Sequence, residues 1–285
     1  MEQRYVDLYE EYLHGHMDRR GFMDKLTKLS GSAAAASAIL PLIENTKAWS
    51  AEILPNDPRV TTETVVVPGY AGLTGYLAKP AVMPHPKIGG LVVIGENRGV
   101  TPYIEDVCRH YATEGFVALG IDYLSPNGGT PIDEDEGASK VGKLKPGEAI
   151  NDFKLAAAYL RTRPDVSKVG SVGYCWGGAM VNQFAVEDPS LEAVVAYYGS
   201  NPKLDQVPNI KAAMLEHYAG LEERTLLGIP AFEEALKKSG KTYNMYIYPR
   251  ANHGFTNDLN PSRYDRAATE LAWGRTIAWF HKYLG

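Results

Sequence analysis

Residues 89–95, Gly-Gly-Leu-Val-Val-Ile-Gly, are apolar at every position. A strand with one wet face alternates polar and apolar residues. An unbroken run fits a strand covered on both faces, as in a parallel sheet flanked by helices. The surrounding chain has the matching rhythm. TETVVV (62–67) and TGYLAK (74–79) read as a hairpin joined by Pro68-Gly69-Tyr70-Ala71-Gly72. Residues 116–122, 168–173, 191–199, 211–219 and 243–248 read as further strands. Residues 103–115, 147–162, 177–187, 230–240 and 262–283 carry helical spacing. This alternation predicts βαβ units in a mostly parallel central sheet with helices on both faces. The polar stretch from Tyr123 to Pro146, rich in Gly and Asp, reads as a loop.

The 285 residues suffice for one large α/β domain. A net charge of -5 argues against a polyanionic partner, so no nucleic acid is expected. Two cysteines, Cys108 and Cys175, in unlike contexts support neither a disulfide framework nor a cysteine metal site. No apolar run reaches the roughly 18 residues of a membrane span.

Residues 1–60 differ from the α/β domain expected over 61–285. MEQRYVDLYEEYLHGHM has a helical stripe. Asp18-Arg19-Arg20-Gly21-Phe22-Met23, a small-residue run and Ala48-Trp49-Ser50-Ala51 are similar to a twin-arginine export signal. The long acidic leader, Lys25 and Lys28 favour the other reading, helices packed on the domain or on a second subunit. A cytoplasmic protein is therefore expected, with export to the periplasm as the alternative and a homodimer as a weak hint.

The sharpest motif is Gly173-Tyr174-Cys175-Trp176-Gly177-Gly178, between a strand and a helix. It is the G-x-S-x-G nucleophile elbow with Cys in place of Ser. Such a turn forces the nucleophile into a strained conformation, and glycines on either side leave room for it. It also sets the sulfur at a helix N-terminus, which favours negative charge. The backbone N–H of Trp176 faces the same space and can donate to an oxyanion. Cys108, inside a helical pattern, reads as core.

The elbow belongs to the α/β-hydrolase fold, in which the partners follow in the order nucleophile, Asp or Glu, His. His253, in ANHGF (251–255) after the last strand, occupies the required place. The other six histidines lie before the elbow, on a strand or in helices. The orienting acid should follow the strand ending near Ala219, where Glu222 and Glu223 both qualify.

With these pieces in place the chain resembles the dienelactone hydrolase family, the carboxymethylenebutenolidases, over roughly residues 60–284. GENRGV (95–100), GYCWGG (173–178), YAGLEERTLLGIPAFEEALK (218–237), IYPRANHGF (247–255) and ELAWGRTIAWFHKYL (270–284) carry the likeness in register. The resemblance implies that Glu96 sits beside the cysteine and modulates the thiol. It also implies that the backbone N–H of Asn97 is the second oxyanion donor. It favours Glu222 as the acid, at a position where the family usually has Asp. The best-known members carry an Arg four residues after the His; this chain has Asn257, which argues against the dienelactone itself as substrate.

The expected activity is hydrolysis of a small-molecule ester or lactone. Cys175 attacks, Trp176 and Asn97 hold the oxyanion, His253 moves protons and Glu222 orients His253. Arg98, Tyr123, Trp176 and Phe255 are expected to line the substrate pocket. No metal-ligand spacing and no G-x-G-x-x-G after the first strand are found, so no cofactor is expected. Two rivals stand beside this reading: a broad esterase without lactone preference, and a scaffold that uses Cys175 for binding or redox sensing.

Overall fold

The computed structural model describes residues 8, 17, 19–32, 35–36, 52–70, 72–145 and 147–285. Eight strands form one sheet: β1 (Val60–Val66), β2 (Thr74–Pro80), β3 (Ile88–Ile94), β4 (Val117–Asp122), β5 (Val166–Tyr174), β6 (Ala193–Tyr197), β7 (Ala213–Ala219) and β8 (Tyr243–Tyr248). Their spatial order is β1-β2-β4-β3-β5-β6-β7-β8. β1 and β2 form an antiparallel hairpin in which Thr64 faces Tyr76, and β2 runs antiparallel to β4. The six strands from β4 to β8 are parallel. Every residue of β3, β6 and β7 is buried, as the unbroken apolar runs of β3 and β6 require.

Alternate residues of one strand enter two separate cores. Leu91 and Val93 of β3 join the helices α2 (Pro102–Thr113) and α8 (Arg266–Leu284) on one face. Val92 and Ile94 join α4 (Glu148–Thr162), α5 (Trp176–Glu187) and α7 (Ile229–Lys238) on the other. This is the α/β-hydrolase architecture.

The stretch read as a loop after Tyr123 contains α3 (Glu134–Val141). Asp133 caps it, accepting from the Asp135 N–H at 2.9 Å. Only Gly137 and Val141 of α3 are buried, so it carries almost no apolar stripe from which to read a helix.

Among the N-terminal residues, α1 (Arg19–Ser30) spans the paired arginines. It buries Phe22 and Leu26, four apart, in the core that α2 and α8 share. Downstream, the Ile53 N–H donates to Asp106 Oδ1 at 2.8 Å, and buried Arg109 donates to the Ile53 carbonyl. Most of the expected first helix, the apolar end of the small-residue run and Ala48-Trp49-Ser50-Ala51 lie outside the described residues.

The sheet and α5 are joined by a buried polar pair. Asn182 Nδ2 donates to Glu216 Oε2 of β7 at 3.3 Å. Glu216 Oε1 and Asn182 Oδ1 have no further partner among the described residues. Burial pushes the Glu216 carboxyl up to about 8, outweighing the opposing hydrogen bond from Asn182. The folded protein therefore keeps a proton there that the unfolded chain releases above about pH 4.5, so this group makes stability fall as pH rises from about 4.5 to about 8. Glu216→Gln is expected to remove that slope, because an amide keeps the shape of the acid and never ionises. Urea unfolding at pH 5 and pH 8 checks it: the variant should gain more than about 1 kcal/mol on wild type between the two. Parallel curves would show that Glu216 ionises freely in the fold.

Candidate active site

The sheet order reverses around β3, which lies between β4 and β5. In open α/β sheets the crevice outside the carboxyl ends of the strands, where the order reverses, is the place for a ligand. Each functional side chain expected from the sequence comes from a loop at that edge, from the residue that follows a strand or, for Trp176, from the first residue of α5.

Cys175 joins β5 directly to α5, with φ 58° and ψ −116°. Gly177 makes the turn possible. A Cβ there would fall inside contact distance of the Gly95 and Ile94 carbonyl oxygens, which are backbone and cannot rotate away. His253 lies on the loop between β8 and α8, and its Nε2 is 2.9 Å from Cys175 Sγ. Its Nδ1 is 2.9 Å from Glu222 Oε2. Glu222 immediately precedes the short helix α6 (Glu223–Leu226); Glu223 opens that helix, and the bond to His253 is made by Glu222.

Burial alone would lower the His253 pKa. The hydrogen bonds to Cys175 and Glu222 outweigh it and raise the imidazole to about 10. Burial also works upward on the Glu222 carboxyl, but the His253 bond prevails and holds it below its ordinary value. Thiol, imidazole and carboxylate thus form one unbroken hydrogen-bonded chain. Such a chain can deliver a sulfur nucleophile and return a proton to a leaving group.

The backbone N–H of Trp176 is the first of α5 and has no partner inside the helix. The Asn97 N–H lies in the loop after β3, whose Ile94 and Gly95 carbonyls abut Gly177. Glu96 is on the same loop. It accepts a hydrogen bond from Asn257 Nδ2 at 3.2 Å, and Asn257 Oδ1 in turn accepts the Leu259 N–H at 3.1 Å. Burial raises the Glu96 pKa, with Asn257 opposing. Arg98 makes its ion pair with Glu134 of α3, Nε to Oε2 3.0 Å. A cleft of about 190 Å³ beside the His253 loop is lined by Glu96, Arg98, Asn257 and Arg263, among others. A larger cleft of about 840 Å³ opens around Ile88 and Gly115, at the opposite edge of the sheet from Cys175.

Two residues expected to line the pocket are almost wholly buried. Phe255 is fully buried against Tyr198 and Tyr248, and its carbonyl accepts from Thr269 Oγ1 and the Asp265 N–H. It anchors the His253 loop from inside the core. Tyr123 is buried too, its ring 4.9 Å from that of Trp176.

Sequence reasoning missed Tyr198, which follows β6 with φ 40° and sets its ring 5.1 Å from His253. Its hydroxyl shares a hydrogen bond with Thr256 Oγ1 at 2.7 Å, and Tyr103 of α2 reaches the same oxygen at 2.8 Å. The pair Tyr197-Tyr198 just before Gly199 at a strand end was the available signal.

Among the described residues no group of three or more His, Cys, Asp or Glu is placed to hold a metal ion, and no helix is long and apolar enough to cross a membrane.

Comparison with known proteins agrees with this fold. The sequence model of the dienelactone hydrolase family matches residues 73–284. A Methylorubrum extorquens protein, provisionally named a carboxymethylenebutenolidase, is 31% identical over 229 residues, 72% of this chain and 77% of that relative. A relative in Escherichia coli O157:H7, with the same provisional name, is 29% identical over 275 residues, 91% of this chain and 97% of its own. The crystal structure of a provisionally named dienelactone hydrolase from Klebsiella pneumoniae superposes with a TM-score of 0.70. It covers 79% of this chain and 99% of its own at 24% identity, a likeness that speaks for the fold.

Proposed function

Because the chain belongs to the dienelactone hydrolase family, we propose that it hydrolyses a small carboxylic ester or lactone through a thioester on Cys175. The observation that carries this reading is the continuous path Cys175–His253–Glu222, with both links at 2.9 Å.

In the first half-reaction Cys175 Sγ, its proton held on His253 Nε2, attacks the carbonyl carbon. The carbonyl electron pair moves to oxygen, where the N–H groups of Trp176 and Asn97 receive it. The tetrahedral intermediate collapses, the carbon–oxygen ester bond breaks, and His253 gives its proton to the departing alkoxide. A lactone gives a hydroxyl tethered to the acyl group. In the second half His253 takes a proton from water as the water oxygen attacks the thioester. The carbon–sulfur bond then breaks, releasing the acid and restoring the sulfur–imidazole pair. Glu222 keeps Nδ1 protonated and the ring in register throughout. Asn257, with an amide where the best-known relatives carry a cation, suits an acyl group without a carboxylate beside the scissile bond.

Intact-protein mass spectrometry tests the intermediate. Brief mixing with p-nitrophenyl butyrate, then acid quench, should add one butyryl group per chain, and peptide mapping should place it on Cys175. Steady turnover with the label on another residue, or with no label under single-turnover conditions, would sink the thioester.

A further inference from the structure

The hydroxyl of Tyr123 lies at a position that bears on catalysis. It donates to the Glu96 carbonyl oxygen at 2.5 Å and accepts the Gly99 N–H at 3.2 Å. The carbonyl of Glu96 and the N–H of Asn97 belong to one peptide unit. That unit is rigid and trans, so its C=O and N–H point in opposite directions across a single plane. Whatever holds the Glu96 oxygen therefore sets where the Asn97 N–H points.

We propose that Tyr123 is a positioning residue: its hydroxyl pins the Glu96–Asn97 peptide plane so that the Asn97 N–H is aimed at the developing oxyanion. The inference rests on the thioester reading above. The geometry around Tyr123 fits the role. Burial raises its pKa well above the ordinary phenol value, so the hydroxyl keeps the proton it donates. Its ring is fixed on both sides, 4.9 Å from Trp176 and 5.9 Å from Phe153. It follows β4 directly, so it is anchored to the sheet. The other side of the 95–100 loop is tied to the same strand end. The Val100 N–H donates to Thr130 Oγ1 at 2.9 Å, and Thr130 Oγ1 donates to Asp122 Oδ1 at 2.9 Å. Tyr123 thus packs its ring on the Trp176 side chain and bonds the Glu96–Asn97 peptide through its hydroxyl.

A purely structural role and an oxyanion role separate because alkylation of a thiol forms no oxyanion. The test compares wild type with Tyr123→Phe, which keeps the ring and removes only the hydroxyl. Turnover of p-nitrophenyl butyrate gives kcat and KM, and the rate of Cys175 alkylation by iodoacetamide reports the sulfur–imidazole pair alone. Cys108 is fully buried, so iodoacetamide titration also counts folded sites, and kcat is expressed per titrated site. The expected result is a kcat lower by about 10- to 100-fold, part of the loss seen when an oxyanion donor is removed outright. KM and the alkylation rate should stay within about twofold of wild type. An unchanged kcat per site would overturn the proposal. So would a kcat that falls in step with alkylation, because Tyr123 would then act on the thiol. A wild type that turns over no ester would fail the thioester reading itself, and a clear wild-type rate separates the two failures.

Discussion

Cys175→Ala is expected to abolish ester turnover, by at least about 1,000-fold, while leaving the fold intact. The sulfur is the strongest nucleophile in the Cys175–His253–Glu222 path. Without it the oxyanion donors could stabilise only a slower attack, by water or by the imidazole itself. The protein should remain folded, because alanine tolerates the same backbone about as well as cysteine does. His253 supplies an independent readout. Its bond to Cys175 raises its pKa, so in the variant the imidazole should titrate below its wild-type value of about 10, as followed by NMR of the ring protons. Equal turnover in both proteins would remove Cys175 from the chemistry and bring forward the redox-sensing reading, for which peroxide oxidation of Cys175 is the direct assay.

The parts of this site that were legible in the sequence are those imposed by local backbone constraint or by chain order. Gly173-Tyr174-Cys175-Trp176-Gly177-Gly178 announces its turn because the two chain segments approach too closely for side chains. The strand pattern was readable because β3 and β6 are apolar throughout and β7 is apolar but for Glu216 and His217. Choosing between Glu222 and Glu223 was beyond residue patterns. Neighbouring residues point in different directions, and the bend before α6 decides which one faces His253. Tyr123 could be placed near the site, but its hydroxyl bonds a backbone oxygen 27 residues upstream, and no periodicity encodes that contact. Phe255 misled because proximity to His253 in sequence suggests the pocket. The loop instead turns inward there and spends its aromatic ring on the core. α3 escaped because a capped, acidic, mostly exposed helix has no apolar face to betray it.

Gly177→Ala is expected to destabilise the protein by more than about 3 kcal/mol, at or beyond the upper end of ordinary overpacking, and to inactivate whatever still folds. The added methyl would overlap the carbonyl oxygens of Gly95 and Ile94. Both are backbone atoms at the end of the fully buried β3, so no rotamer change relieves the clash. Either α5 tilts away from the sheet or the 95–100 loop lifts off. The first displaces Cys175 and the Trp176 N–H; the second displaces Asn97 and breaks the hold of Tyr123 on the Glu96 carbonyl. Each separates the nucleophile from an oxyanion donor, so stability and turnover should fall together. Gly142→Ala is the matched control. That glycine has φ −62°, and a Cβ there meets only backbone at ordinary contact distance. It should leave stability within about 0.5 kcal/mol of wild type or raise it slightly by restricting the unfolded chain. Urea unfolding and p-nitrophenyl butyrate turnover, measured on both variants, decide the matter. A Gly177→Ala protein with wild-type stability would mean that β3 and α5 can part without cost. The close approach at the elbow would then no longer explain why the nucleophile and both donors meet at one point.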